Sequence, residues 1–192
     1  MRLFQRNALL MGNRFDLGVV GIDECQANQA LDHAIDEIKR IESLLSTYQA
    51  HSQINQVNEM AGISSVKVDE EVFNLIERAQ RISELTQGAF DLSYGSIDKS
   101  LWNFDQDMTK LPSKEEAEKS ICLINYKNIG LDREHLSIFL AKKRMRIGFG
   151  GIGKGYAADQ AKKILVNEGF NNGVVNASGD MCAWGKRADG ED

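Results

Sequence analysis

Proline is almost missing from this sequence: Pro112 stands alone in 192 residues. Proline and glycine clusters are the main local punctuators of a chain, so no internal boundary can be placed and residues 1–192 read as one domain. Cysteine is scarce as well. Cys25, Cys122 and Cys182 are widely separated and odd in number, which excludes a disulfide framework and metal-ligand spacing. They read as small buried apolar residues, or at least as unpaired thiols. Long hydrophobic runs are lacking too, since nothing approaches the roughly 18–20 apolar residues of a membrane-crossing helix. Residues 1–6 are not followed by a signal-peptide core, so the chain taken alone reads as cytoplasmic. There is no basic surplus. A formal net charge of −5 argues against a nucleic-acid partner. The one basic run, Lys142-Lys143-Arg144-Met145-Arg146, reads as a solvated strand edge in preference to a phosphate-attracting patch.

What is present suits an ordinary globular protein, with 42% hydrophobic and 27% charged residues. Residues 8–20 are apolar and glycine-interrupted, a strand or bent hairpin. Asp23 and Gln26 have helix-capping spacing and introduce Ala27, Ala30, Leu31, Ala34, Ile35, Ile38, Ile41 and Leu45 at helical period. A second helix follows Asp69, with Val72, Phe73, Ile76, Ala79 and Ile82 on one face. A third begins at Pro112-Ser113, where Ser113 and Glu116 form a capping box. Residues 127–147 change to short β-rich runs. A glycine cluster then opens a last helix, Gly169 ends it, and residues 173–177 return to strand. Without a regular βαβ repeat, this mixture predicts an α+β fold with a mainly antiparallel sheet packed by several helices.

Four stretches carry chemistry. Gly148-Phe149-Gly150-Gly151-Ile152-Gly153-Lys154-Gly155 lets backbone approach a ligand closely. The helix start behind it offers free N–H groups and partial positive charge to a phosphate or diphosphate, with Lys154 adding a full charge. Gly148, Gly153 and Lys154 also have P-loop spacing, but Gly155 stands where a magnesium-binding hydroxyl belongs. A glycine-rich helix entry needed only for close packing is the plain alternative. The second stretch, Thr86-Gln87-Gly88-Ala89-Phe90-Asp91, has Gly88 as the helix C-cap. It runs on to Tyr94, Trp102 and Phe104 in a chain that is only 7% aromatic. Such a cluster suits a flat ring system, or is a plain aromatic core. The third, Leu45-Ser46-Thr47-Tyr48 followed by residues 52–58, reads as a hydrogen-bonded polar turn. The fourth, residues 174–180, either brings Asn176 and Asp180 to the glycine loop or is a simple hairpin.

In this order the stretches resemble the ApbE family of FAD:protein FMN transferases. The matching segments are Met11-Gly12-Asn13, Leu45-Ser46-Thr47-Tyr48 with residues 52–58, residues 86–91 with 101–104, residues 148–159, and residues 175–180. The resemblance implies the flavin transferase fold and magnesium-dependent transfer of FMN from FAD to a threonine hydroxyl of an acceptor flavoprotein, with AMP released. It implies FAD contacts at Met11, Tyr48, Ala89, Phe90, Asp91 and Lys154, and a magnesium ligand in the Gly151 carbonyl. Catalytic residues are not assigned. The family aspartate that opens the glycine motif is Gly148 here. A later histidine-containing region and an Asp-x-x-x-Thr metal site are expected after Asp180, whereas the sequence ends at Asp192. A non-catalytic flavin-binding or partner-docking module is therefore the alternative. His33, His51 and His135 match no family motif and read as surface residues. Family members lie in the bacterial periplasm or are membrane-anchored, which is the expected location if a leader was removed.

Overall fold

The computed structural model describes residues 1–97 and 113–190, so the expectations on residues 101–104 and Pro112 lie outside them. Residues group into two compact units, Met1–Leu44 with Ile152–Asp192, and Leu45–Gly151.

The first unit is built on a four-stranded sheet in the order β1-β2-β6-β7. Residues 8–20, expected as a strand or bent hairpin, belong to a longer hairpin of strands β1 (Arg2–Leu10) and β2 (Asn13–Gly21), paired Leu10↔Asn13 through Arg2↔Gly21. Its two-residue turn, Met11 and Gly12, holds φ at 51° and 71°, the positive pair a type I′ turn requires. Strands β6 (Gly173–Ala177) and β7 (Asp180–Trp184) turn the same way through Ser178 and Gly179, at 55° and 108°. The register Phe15↔Ala177 places both turns at the same end of the sheet. Helix α1 (Glu24–Leu45) starts where Asp23 accepts a bond from the Gln26 N–H at 3.0 Å, and its stripe of Ala27, Ala30, Leu31, Ala34, Ile38 and Ile41 is fully buried. Helix α5 (Gly153–Asn167) packs on β6 and β7 through Ala157, Ala161 and Leu165. Gly169 and Phe170 close it, their N–H groups returning to Val166 and Leu165 carbonyls at 3.0 Å, a Schellman pattern.

The second unit has α2 (Gln53–Glu59), α3 (Glu70–Leu85), α4 (Lys114–Ile121) and a small sheet β3-β5-β4 from β3 (Val66–Lys67), β4 (Ile129–Asp132) and β5 (Ser137–Leu140). Every strand pair in both sheets is antiparallel. Phe73, Ile76, Ile54, Ile138, Leu140, Met145 and Ile147 fill the core of this unit. Ser113 and Glu116 make the full capping box at the start of α4.

Four expectations need correction. The basic run is not a strand edge: residues 141–144 form a turn with Arg144 at φ 70°, and Met145 is fully buried behind it. Charges at 142–144 sit on the turn, where they remain hydrated, while Met145 and Ile147 point inward. Residues 53–58 are not a plain turn but helix α2, capped by Ser52, whose Oγ accepts the Asn55 N–H at 3.0 Å. At the end of α3 the left-handed C′ residue is Gln87 (φ 53°), not Gly88, which is the next one along. Both return their N–H groups to the last turn, Gln87 to Glu84 and Gly88 to Ser83. Finally, Cys25 and Cys122 are exposed and Cys182 is half-buried on the edge strand β7; all are free thiols. His33, His51 and His135 are exposed, as expected, with His33 against Glu168 and His135 against Asp132.

A glycine run laid on an aromatic turn

The central feature of the second unit is the path of residues 145–151. Burial alternates along 145–149 as in a strand, yet among the described residues no strand pairs with it. Its backbone polar groups must still find partners, because an orphaned buried N–H or C=O costs about as much as a lost hydrogen bond. The partners are largely side chains. Ser96 Oγ accepts the Arg146 N–H at 2.8 Å and donates to the Arg146 carbonyl at 2.9 Å. Asn58, buried in the last turn of α2, accepts the Ile147 N–H at 2.7 Å and donates to the Ile147 carbonyl at 3.0 Å. The Gly148 N–H goes to the Leu92 carbonyl at 3.0 Å. Arg146 is anchored in turn by Asn55 Oδ1 at 3.0 Å.

This pins the glycine run against the segment that follows α3. A Cβ on Gly95 would lie 2.7 Å from the Ile147 carbonyl carbon and 2.8 Å from the Gly148 nitrogen, so only glycine fits this crossing. Likewise a Cβ on Gly151 would meet the Phe90 ring at 3.2 Å. The Phe90 ring therefore packs against glycine backbone, and Thr47 lies beside Gly148. Tyr48, the next residue, is 83% exposed. Its turn is tied by Ser46 Oγ, which accepts the Tyr48 and Gln49 N–H groups at 3.2 and 3.3 Å.

Asp91 frames the same segment. Its Oδ1 accepts the Ser93 N–H at 2.8 Å and the Ser93 hydroxyl at 2.6 Å, while Oδ2 accepts the Tyr126 N–H at 2.8 Å. Ser93, fully buried, passes the network on by accepting the Asn125 N–H at 2.8 Å. The carboxylate is thus spent on holding residues 125–126 to the turn Leu92–Ser96. An open groove of about 460 Å³ borders this network, lined by Gly88, Asp91 and Tyr126 among others, and it does not include Phe90 or Gly151.

The first unit carries Met11 and Lys154. Lys154 is the second residue of α5, three-quarters buried as a side chain, and its Nζ lies 3.4 Å from both Asp180 Oδ2 and the Ser178 carbonyl. Residues 174–180 form the hairpin, and of the two residues expected at the glycine loop it brings only Asp180 to Lys154. Asn176 stays within the turn, accepting the Gly179 N–H at 3.0 Å. Ile152 at the N-cap of α5 makes no side-chain cap bond, so the helix entry keeps N–H groups unmatched by a capping oxygen. Of the residues expected to touch a ligand, Tyr48, Ala89, Phe90, Asp91 and Gly151 belong to the second unit, and Met11 and Lys154 to the first. Asn58, which closes the segment 52–58 matched to the family, and Ser96 hold backbone in a way the sequence pattern did not show. A hydrophilic side chain among the apolar positions of α2 was the signal at Asn58, whereas Ser96 lies in the turn Leu92–Ser96.

The P-loop alternative fails on this geometry. It needs a buried parallel strand ahead of the loop, and among the described residues 145–149 pair with no strand.

The ApbE family model matches residues 11–192. The chain belongs to the ApbE family. A Klebsiella pneumoniae (strain 342) protein named FAD:protein FMN transferase is 30% identical over 185 residues, covering 96% of this chain and 57% of its own length. A Treponema pallidum relative of the same name is 26% identical, covering 83% of this chain and 45% of its own. Among solved structures, the ApbE protein of Thermotoga maritima superposes with a TM-score of 0.87 at 29% identity, across 97% of this chain and 60% of that one. The flavin transferase ApbE of Vibrio cholerae shares the fold at 19% identity, with a TM-score of 0.84. This ApbE-family chain thus spans about half of the length of the first three of these relatives, from 45% to 60%.

The α+β, antiparallel architecture expected from the sequence is the fold these ApbE structures share. No helix among the described residues is long and apolar enough to cross a membrane. As for magnesium, it takes near-octahedral oxygen ligands, usually including carboxylates. Among the described residues no three acidic, histidine or cysteine side chains cluster in a way that would hold a metal. The Gly151 carbonyl alone does not make such a site.

Proposed function

We propose that this chain is the flavin-handling part of an FAD:protein FMN transferase. The observation that carries the reading is the packing of Phe90 on the glycine run at Gly151, inside a family match that spans residues 11–192. A ring held against bare backbone, with Tyr48 exposed in the same unit, offers aromatic and amide surfaces to an isoalloxazine. The entry of α5, uncapped by a side chain and carrying Lys154, suits a diphosphate. Met11 sits at the hairpin turn at the same end of the sheet as the Ser178–Gly179 turn that Lys154 touches.

The reaction proposed for the whole protein is attack of an acceptor threonine oxygen on the FMN phosphorus of FAD. The P–O bond to the AMP phosphate breaks, the threonine proton leaves to solvent or a base, and AMP departs. In the chain itself, the backbone at 89–91 and the Phe90 ring orient the flavin, while Lys154 offsets charge on the diphosphate. Asp91 contributes by holding that backbone in place. Magnesium dependence belongs to the same proposal, with the Gly151 carbonyl as one ligand and carboxylates coming from outside the described residues. The acceptor is a flavoprotein segment bearing the threonine.

The test is to incubate the chain with FAD, magnesium and a threonine-bearing flavoprotein segment. Mass spectrometry should show an FMN adduct on the acceptor and chromatography should show AMP. FAD binding without transfer would assign this chain the role of a flavin-binding module. Failure to bind FAD with magnesium present would remove both readings.

A further inference from the structure

We infer that Asn58 is a positioning residue for the glycine run, an assignment that rests on the proposed binding of FAD beside that run. Among the described residues, 145–149 have strand-like burial but no strand neighbour, so no described sheet sets their register. Something else must fix how far the run advances and at what height it passes Gly95 and Phe90.

Asn58 does so as the more deeply buried of two side-chain clamps on this path. Its carboxamide meets both the N–H and the C=O of one residue, Ile147, at 2.7 and 3.0 Å, as a neighbouring strand would. The side chain is buried, at 5% exposure for the residue, so water does not compete for either bond. Ile147 is the residue directly before Gly148, and its carbonyl carbon and oxygen are the atoms that a Cβ on Gly95 would strike. Four residues on, Gly151 lies against the Phe90 ring. The amide therefore sets the start of the run, and the short path from 147 to 151 carries that setting to the surface proposed for flavin.

The residue type follows from the geometry. Aspartate supplies the acceptor for the N–H but faces the carbonyl with a second acceptor. Leucine supplies neither. Glutamine places the same group one methylene farther out, in a buried site already filled by the fit to Ile147. Ser96, which bonds both backbone groups of Arg146, is the second and more exposed clamp on the same path. Arg146, held by Asn55, is the charged side chain on this stretch.

The experiment compares the 192-residue chain with Asn58→Leu, Asn58→Asp and Ser96→Ala, reading FAD affinity by flavin fluorescence and amide exchange by NMR. In Asn58→Leu, amides at 147–151 should exchange at least about tenfold faster while those of α3 keep their rates, and the FAD Kd should rise about tenfold, the worth of one ordinary hydrogen bond. Asn58→Asp should lose affinity at about pH 8 and regain it, relative to the parent chain, at about pH 5, because a buried carboxyl protonates readily and then donates to the Ile147 carbonyl. Asn58→Leu should show no such recovery. Parent-like exchange at 147–151, a Kd within about twofold despite faster exchange, or no recovery in the aspartate variant would each overturn the assignment. If Asn58→Leu does not fold, Ser96→Ala decides: a smaller weakening in the same direction supports the role and a parent-like Kd overturns it. Should the parent chain bind no FAD, the proposed function falls, and the exchange rates alone still decide whether Asn58 orders the run.

Discussion

Replacing Asp91 by asparagine separates a framing carboxylate from one that touches substrate. The side chain keeps its shape, but one oxygen becomes an NH₂. Whichever way the amide turns, one donor is lost its partner: NH₂ faces either the Tyr126 N–H or the two Ser93 donors, now accepted at 2.8 and 2.6 Å. A hydrogen bond to a charged group is worth about 1.5–3 kcal/mol, and the orphaned donor adds to the loss. We therefore expect destabilisation of about 2–3 kcal/mol, which for a chain of this size lowers Tm by roughly 4–12 °C. Circular dichroism melting at neutral pH gives that number, and an FAD titration of the same sample gives the affinity. Both should fall together, because the segment 89–93 loosens as the clamp on residues 125–126 is lost. A variant that melts within about 1 °C of the parent yet no longer binds FAD would refute the reasoning, since the carboxylate would then be contacting the ligand.

Further outcomes follow from other contacts. Gly95→Ala should cost about 1–3 kcal/mol or more in melting experiments, because the added carbon meets backbone atoms that cannot swing aside. Gly155→Ala meets nothing within 4 Å and lies in α5, so it should raise stability by up to about 1 kcal/mol; equal effects at the two glycines would contradict the packing described. Lys154→Met should weaken FAD binding by about tenfold to a hundredfold while changing Tm little, because partly exposed ion pairs like that with Asp180 are worth only about 0–1 kcal/mol. In thiol titration with an aromatic disulfide, Cys25 and Cys122 should react first. Burial holds the Cys182 thiol above its usual pKa, so its thiolate is scarcer at neutral pH and its reaction should keep accelerating as the solution is made more alkaline. A Cys182 that reacts as fast as the other two at neutral pH would contradict that placement.

The local grammar of this chain was legible without coordinates. Asp23, Ser113 and Glu116 announce helix starts because capping partners are three residues apart, and the α1 stripe is visible because a helix repeats within a few residues. The hairpin at 174–180 was one of two readings and 8–20 read as a strand or bent hairpin, while the positive-φ turns at Met11-Gly12 and Ser178-Gly179 came with the structure. What the tertiary structure decided is the fate of groups whose partners are distant in the chain. Residues 145–149 look like a strand by composition, yet their hydrogen bonds end on Asn58 and Ser96, which lie 89 and 50 positions away from Ile147 and Arg146. The Asp91 carboxylate, expected from the resemblance at the ligand, is seen only in the fold to accept from Ser93 and Tyr126. Lys154 gains Asp180 only because a hairpin folds back on the start of α5. Periodicity and caps are short-range and survive in a linear string of residues; the pairing of a buried polar group is settled by whatever the packed chain delivers to it.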